Sequence, residues 1–332
     1  MNRRGFVAAI SSAIAAPVAF AQQKAGLPVV GVLTPHPPLP PESPGAIALG
    51  ARWKQLGCVD GENFHVLRPN AEGREDRLPA IATELVRSRV NVIWTLGPEA
   101  AIAAARATST IPIVFWGVGL PVEQGLVDSI ARPGRNVTGI AFFAGTELTF
   151  KVLELAKEAL PHVQKVSAIR TPSANQTVKG ELLKPTLADD RTLKKLGLEA
   201  LRYEVARVED SDGVFAAILK ARPQFLFVDG TTLTFRERRR IADFALRNAL
   251  PSAFDQREFV EAGGLLSYGI DSFETVLQSL GYVDRILRGA KPADLPVELP
   301  SKYEFVVNLK TASALGIKVP RSVLLRADRV IE

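Results

Sequence analysis

The sequence predicts an α/β protein of two doubly wound parallel-sheet lobes joined by a hinge. Three observations carry this reading. The halves repeat one another: residues 29–34 (VVGVLT) followed by Pro35 match residues 166–171 (VSAIRT) followed by Pro172. Apolar runs then alternate with helical stretches in the same order in both halves, and such alternation builds parallel sheets. The turns match as well, Gln55-Leu56-Gly57 against Lys195-Leu196-Gly197, and 111–116 (IPIVFW) corresponds to 250–255 (LPSAFD), each with a Pro near its start.

The elements follow in order. Residues 25–28 lead into the first strand, 29–34. Six prolines in 35–45 (PHPPLPPESPG) exclude helix and predict a stiff, extended loop on the cleft rim. A helix over 46–56 and a strand over 64–67 come next. In the helix over 76–89, Leu78, Ile81, Leu85 and Val86 share one face. After the strand at 90–96, Pro98 and Glu99 open a third helix, where a proline lacks no needed N–H. Pro121 is expected to open another after the strand at 111–116.

The turn at 132–139 (RPGRNVTG) precedes a strand over 140–143, read as the first crossing between lobes. A helix over 147–160 points Leu148, Val152, Leu155 and Ala159 inward. Strands at 166–171, 200–205, 224–229 and 250–255 build the second lobe. The run Arg236-Glu237-Arg238-Arg239-Arg240 opens a helix continuing through Ile241, Phe244 and Leu246, with the arginines on its solvated face. Residues 263–270 (GGLLSYGI) cross back into a helix over 273–287, with Val276, Leu280, Val283 and Leu287 on one side. A Pro-rich connection, 290–300, leads to a third crossing at 303–308 and a short helix at 309–315. Lobe 1 is therefore expected to comprise 28–140 plus 270–303, and lobe 2 141–269 plus 304–332. Hinge bending is expected at 139–143, 265–269 and 305–308.

The first 21 residues read as a signal peptide: Arg3 and Arg4, an apolar stretch over 6–18, and the cleavage site Ala19-Phe20-Ala21. The order Asn2-Arg3-Arg4-Gly5-Phe6-Val7 fits twin-arginine export, with ordinary Sec export as the alternative. A periplasmic protein is expected, monomeric and without stable membrane insertion. The remaining stretch of about 310 residues suffices for two cores. A single cysteine, Cys58, excludes an internal disulfide and a thiolate metal cluster. The net charge of +6 comes without aromatic platforms or groove-reading motifs, so no nucleic-acid partner is expected.

Ligands in such lobes sit at the carboxyl ends of parallel strands. The candidate ligand-binding residues are Thr34, His36, Thr95, Gly97, Trp116, Gly117, Thr171, Ser173, Asp229, Thr231, Asp255 and Tyr268. Hydroxyls and free helix N–H groups suit a carboxylate. Asp229 and Asp255 suit an ammonium, while Trp116 and Tyr268 can stack on a flat ligand or a cation. Each has a plain alternative: Trp116 as core, the threonines as helix caps, Asp229 as a turn residue, His36 as a solvated rim residue. His36, His65 and His162 follow no metal-ligand spacing, and neither a G-x-S-x-G elbow nor a P-loop is present. No catalytic residue, metal or cofactor is expected.

Several stretches resemble the ABC-transporter substrate-binding family that includes tryptophan- and tyrosine-uptake proteins: 71–79 (AEGREDRLP), 111–115 (IPIVF), 125–139 (GLVDSIARPGRNVTG), 259–269 (FVEAGGLLSYG), 282–297 (YVDRILRGAKPADLPV), 308–316 (NLKTASALG) and 327–332 (ADRVIE). The resemblance implies a periplasmic-binding-protein-like fold of the first type with three crossovers. It implies capture of a small polar or amphipathic solute, such as an amino acid or aromatic acid, for an inner-membrane ABC permease with its ATPase. The chain departs from the family's usual text at Leu120-Pro121 and in its proline-rich first loop. A periplasmic ligand sensor signalling to a membrane receptor would carry the same features, and an exported enzyme using Asp229 and Asp255 is the third reading.

Overall fold

The computed structural model describes residues 26–142, 146–171, 177–178, 181–182 and 190–332. In chain order the first half gives β1 (Val29–Leu33), α1 (Pro44–Gln55), β2 (His65–Leu67), α2 (Leu78–Arg87), β3 (Val92–Leu96), α3 (Pro98–Ala107), β4 (Ile113–Val118) and β5 (Val137–Ala141). These strands form one parallel sheet in the order β2-β1-β3-β4-β5. Alternation along the strands feeds two cores. Leu33, Ile93, Ile113 and Phe115 pack under α2 and α3. Val30, Val32, Val92, Trp94 and Val114 face the opposite way, with Trp53 of α1 among their neighbours.

The second half gives α4 (Thr146–Ala159), β6 (Lys165–Arg170), the ribbon β7 (Thr177–Val178) and β8 (Glu181–Leu182), α5 (Asp190–Lys195), β9 (Glu199–Glu204), α6 (Ser211–Ala221), β10 (Phe225–Val228), α7 (Thr232–Arg236), α8 (Arg238–Arg247), β11 (Ser252–Phe254), α9 (Arg257–Glu261) and β12 (Leu266–Ile270). Then come α10 (Ser272–Leu287), β13 (Tyr303–Asn308), α11 (Leu309–Ala314), α12 (Arg321–Leu324) and β14 (Arg329–Ile331). The second sheet runs β14-β13-β12-β11-β10-β6-β9, with β13 antiparallel to β12. The two lobes expected from the internal repeat are therefore present as two mainly parallel α/β sheets.

The helices beside the crossings are exchanged. The chain leaves the first sheet at Ala141, yet α4 buries Val152, Leu155 and Ala156 against Phe227, Ala253 and Leu266 of the second. It leaves the second sheet at Ile270, yet α10 buries Leu280 and Val283 against Val92, Trp94 and Val114 of the first. Trp94 fixes that docking by donating its indole N–H to Ser279 Oγ at 2.9 Å inside the core. Two glycines permit the close strand approach just before these exits. A Cβ at Gly139 would collide with the Phe115 carbonyl, and one at Gly269 with that of Asp255.

Several expectations are corrected. The first helix starts at Pro44, inside the proline-rich stretch, because Ser43 accepts the Ala46 N–H and Pro44 occupies the first turn. Pro121 opens no helix: a single turn ends at Gly125, which takes φ +69°. The arginine run does not form one solvated face, because α7 and α8 break at Glu237 and Arg236 reaches across to the Gly73 carbonyl. Of the expected hinge segments, 265–269 and 305–308 lie largely within paired strands, as do residues 139–141. The links between sheets run from Ala141 to Thr146, which overlaps the expected 139–143, and from Ile270 to Ser272 and Glu298 to Tyr303, which lie just beside the other two. Residues 143–145 lie outside the described residues.

Ser279→Ala should leave the buried Trp94 N–H without its acceptor and cost about 1–3 kcal/mol. Urea unfolding of the full chain checks this; an unchanged midpoint would show that α10 docks without that bond.

Candidate functional site: the cleft between the lobes

The carboxyl ends of both sheets meet across a seam with direct contacts. Thr232 Oγ1 donates to Glu99 Oε2 at 3.4 Å, and Arg236 Nη1 donates to the Gly73 carbonyl at 2.8 Å. The His36 ring lies edge-on to Phe235 at 6.3 Å. Arg257 works at the waist, donating to Asp271 at 2.7 Å and Glu304 at 3.2 Å, so the start of α9 grips one link and the start of β13 beyond another. Asp271 at the same time caps α10 through the Phe273 and Glu274 N–H groups.

In lobe 2 the parallel register sets Val228 beside both Ile169 and Phe254, so the residues that follow these strands, Thr171, Asp229 and Asp255, gather at one edge. Thr171 and Thr231 share a hydroxyl–hydroxyl bond of 2.8 Å. Thr231 also caps α7 by accepting the Thr234 N–H at 3.3 Å. Asp255 Oδ1 accepts the Gly230 N–H at 2.9 Å. Burial pushes the Asp229 carboxyl up to about 7, helped by Asp255 and opposed by Arg170. Burial likewise raises Asp255 to about 6, against the lowering effect of the Gly230 bond. Arg170 is itself ion-paired with Glu204.

In lobe 1, Thr34 is buried and accepts the His36 N–H at 3.2 Å. Thr95 is fully buried with its hydroxyl unbonded among the described residues. Gly97 takes φ +94° and donates its N–H to the Trp116 carbonyl at 2.9 Å. Gly117 takes φ +85° at the point where the β4–β5 register shifts. Trp116 turns its indole N–H to Thr275 Oγ1 at 3.0 Å and its ring to Phe142, edge-on at 4.7 Å.

The structure thus brings together Thr171, Asp229, Thr231 and Asp255 on one lobe, and Gly97, Trp116 and Gly117 on the other. Tyr268 is half-buried, stacks on Tyr303 at 5.7 Å and packs against the core that α4 covers. Thr34 and Thr95 are buried at the ends of their strands, and Ser173 lies outside the described residues. Sequence reasoning missed Glu75, Phe142, Arg170 and Arg236 as cleft residues. Glu75 lay inside the family-like stretch 71–79, a signal that could have found it. Its carboxyl is pushed up to about 7 by burial and by Glu99, against Arg236. Among the described residues no group of three or more His, Cys, Asp or Glu could hold a metal, and no helix is long and apolar enough to cross a membrane.

Two sheets presenting strand ends to a shared cleft define a two-lobed solute-binding protein. The family profile for ABC transporter substrate binding protein matches residues 48–331, and the chain belongs to that family. It captures a solute for an ABC importer. It is 26% identical over 294 residues to a tyrosine-binding protein of Clostridioides difficile, covering 87% of this chain and 80% of that one. A Vibrio cholerae structure described as a conserved domain protein is 27% identical, covers 91% of this chain and 99% of its own, and superposes with a TM-score of 0.80. A Streptococcus ABC domain in complex with L-Trp, 23% identical, covers 92% of this chain and 100% of its own with a TM-score of 0.79, and shares the fold.

The raised Asp229 carboxyl has a signature. The folded state keeps a proton that the unfolded chain releases above about pH 4, so this contribution to stability falls as pH rises from about 4 to 7. Unfolding midpoints of Asp229→Asn should decline less over that window than those of the wild type. Equal slopes would mean that Asp229 ionises normally.

Proposed function

We propose that this protein captures an amine-bearing, amphipathic solute in the periplasm and presents it to an inner-membrane permease with its ATPase, without turnover. The observation that carries the ligand class is the Asp229–Asp255 pair. Two carboxyls end neighbouring strands, and Arg170, the cation opposing the raised titration of Asp229, is held by Glu204. An ammonium between them would supply the missing counter-charge. Thr171 and Thr231 add hydroxyls, and the Trp116–Phe142 pair offers an apolar wall. The names of the relatives, a tyrosine-binding protein and an L-Trp complex, favour an amino acid.

In this reading residues 1–21 are removed and the mature protein, a monomer, begins at Gln22. Lobe 1 comprises 28–140 plus 270–303, lobe 2 comprises 141–269 plus 304–332, and they close by bending at the three links. A ligand touching both lobes binds the closed form better, and that difference drives closure.

Calorimetric titration with amino acids, aromatic amines and their deaminated analogues tests the ligand class. Amine-bearing solutes should bind tightest, and Asp229→Asn should weaken them about tenfold or more, corresponding to a lost charged hydrogen bond. Deaminated acids that bind equally well would contradict the reading.

A further inference from the structure

We propose that the seam beside the first-strand loop is an anion-binding subsite for a carboxylate or phosphate group, built by His36 and Arg68 of lobe 1 and Arg236 and Arg238 of lobe 2. The four groups converge on residues 35–37. Arg68 Nη2 donates to the Pro37 carbonyl at 3.3 Å. The Gly73 N–H donates to the Pro35 carbonyl at 2.9 Å, and Arg236 Nη1 to the Gly73 carbonyl at 2.8 Å. Phe235 takes the His36 ring at 6.3 Å and the Arg238 guanidinium at 4.5 Å from its centroid.

Each guanidinium is tethered by one arm to a backbone carbonyl, Arg238 through Phe235 at 2.9 Å. The remaining N–H donors of each planar fork are left for a ligand. None of the three arginines has a carboxylate within ion-pair distance among the described residues. The acid facing Arg236 is Glu75, which burial and Glu99 keep largely protonated below about pH 7. Burial and the three arginines hold the His36 imidazole below its ordinary titration range, so it stays neutral among these cations. Three like charges around one half-buried loop repel, and a shared anion offsets that repulsion through charge-assisted bonds. Both lobes contribute, so an anion held here favours the closed form.

The anion has two sources, a free inorganic ion or an anionic group of the captured solute; the second rests on the capture reading above. Thermal unfolding of the wild type, Arg236→Gln and Arg238→Gln in sodium phosphate, against sodium chloride of equal ionic strength and pH, tests the subsite. Phosphate should raise the wild-type midpoint by about 2–4 °C per tenfold excess over its dissociation constant. The shift should at least halve in each variant. No phosphate-specific shift in the wild type, or the same shift in all three proteins, overturns the proposal. Titration with L-tyrosine and O-phospho-L-tyrosine, each with and without phosphate, separates the sources. Competition by phosphate against the phosphorylated compound marks the solute's own group, and tighter L-tyrosine binding in phosphate marks a free ion. Failure of the capture reading leaves the phosphate shift intact with no solute bound, whereas failure of the subsite leaves solute binding intact with no phosphate shift.

Discussion

The exchange of α4 and α10 across the waist is the constraint on which the molecule depends. Neither core is complete without a helix that the chain reaches after leaving that core's neighbour: Val152 and Leu155 seal the second sheet, Leu280 and Val283 the first. The links must therefore be short, and their ends are fixed by strand pairing on one side and helix docking on the other. Gly139 and Gly269 serve the same geometry by allowing each exit strand to approach its neighbour without a side chain. Arg257 then ties Asp271 in one link to Glu304 at the start of β13.

That arrangement points the strand ends at one another and concentrates imbalance in the cleft. Lobe 2 contributes two carboxyls whose burial resists ionisation. The seam gathers cations around the first-strand loop. In the proposed reading, the carboxyls of lobe 2 and the cations of the seam would meet the amine and the acid of one solute. Because the seam cations come from both lobes, a solute that reaches them touches both, which is the differential interaction that closure needs.

Most strands were legible because they read as apolar runs between turn residues; β13 coincides with the expected 303–308, and the other expected strands fall within a few residues, whereas the short β7, β8 and β14 carry no such run and were not foreseen. The helix starts were less so. Pro44 looked like loop because its neighbours are prolines, and only the Ser43 cap shows that it begins a helix. Asp229 and Asp255 could be singled out from strand ends alone, since parallel register brings such residues together. Trp116 could not be settled that way: its indole N–H meets Thr275, far away in sequence. Arg236 was misread for the same reason. Its partner is a backbone carbonyl in the other lobe, and no local pattern reports a contact across a seam.

Capture by closure makes a direct demand on distance. With Cys58→Ser removing the native thiol, spin labels at Glu42→Cys and Arg239→Cys, both on exposed positions of opposite lobes, report the gap by pulsed electron resonance. Closure predicts a broad or long distribution in the empty protein that collapses to a single short distance with the tightest amine-bearing solute. One distance distribution, unchanged by a solute that calorimetry shows to be bound, would contradict it.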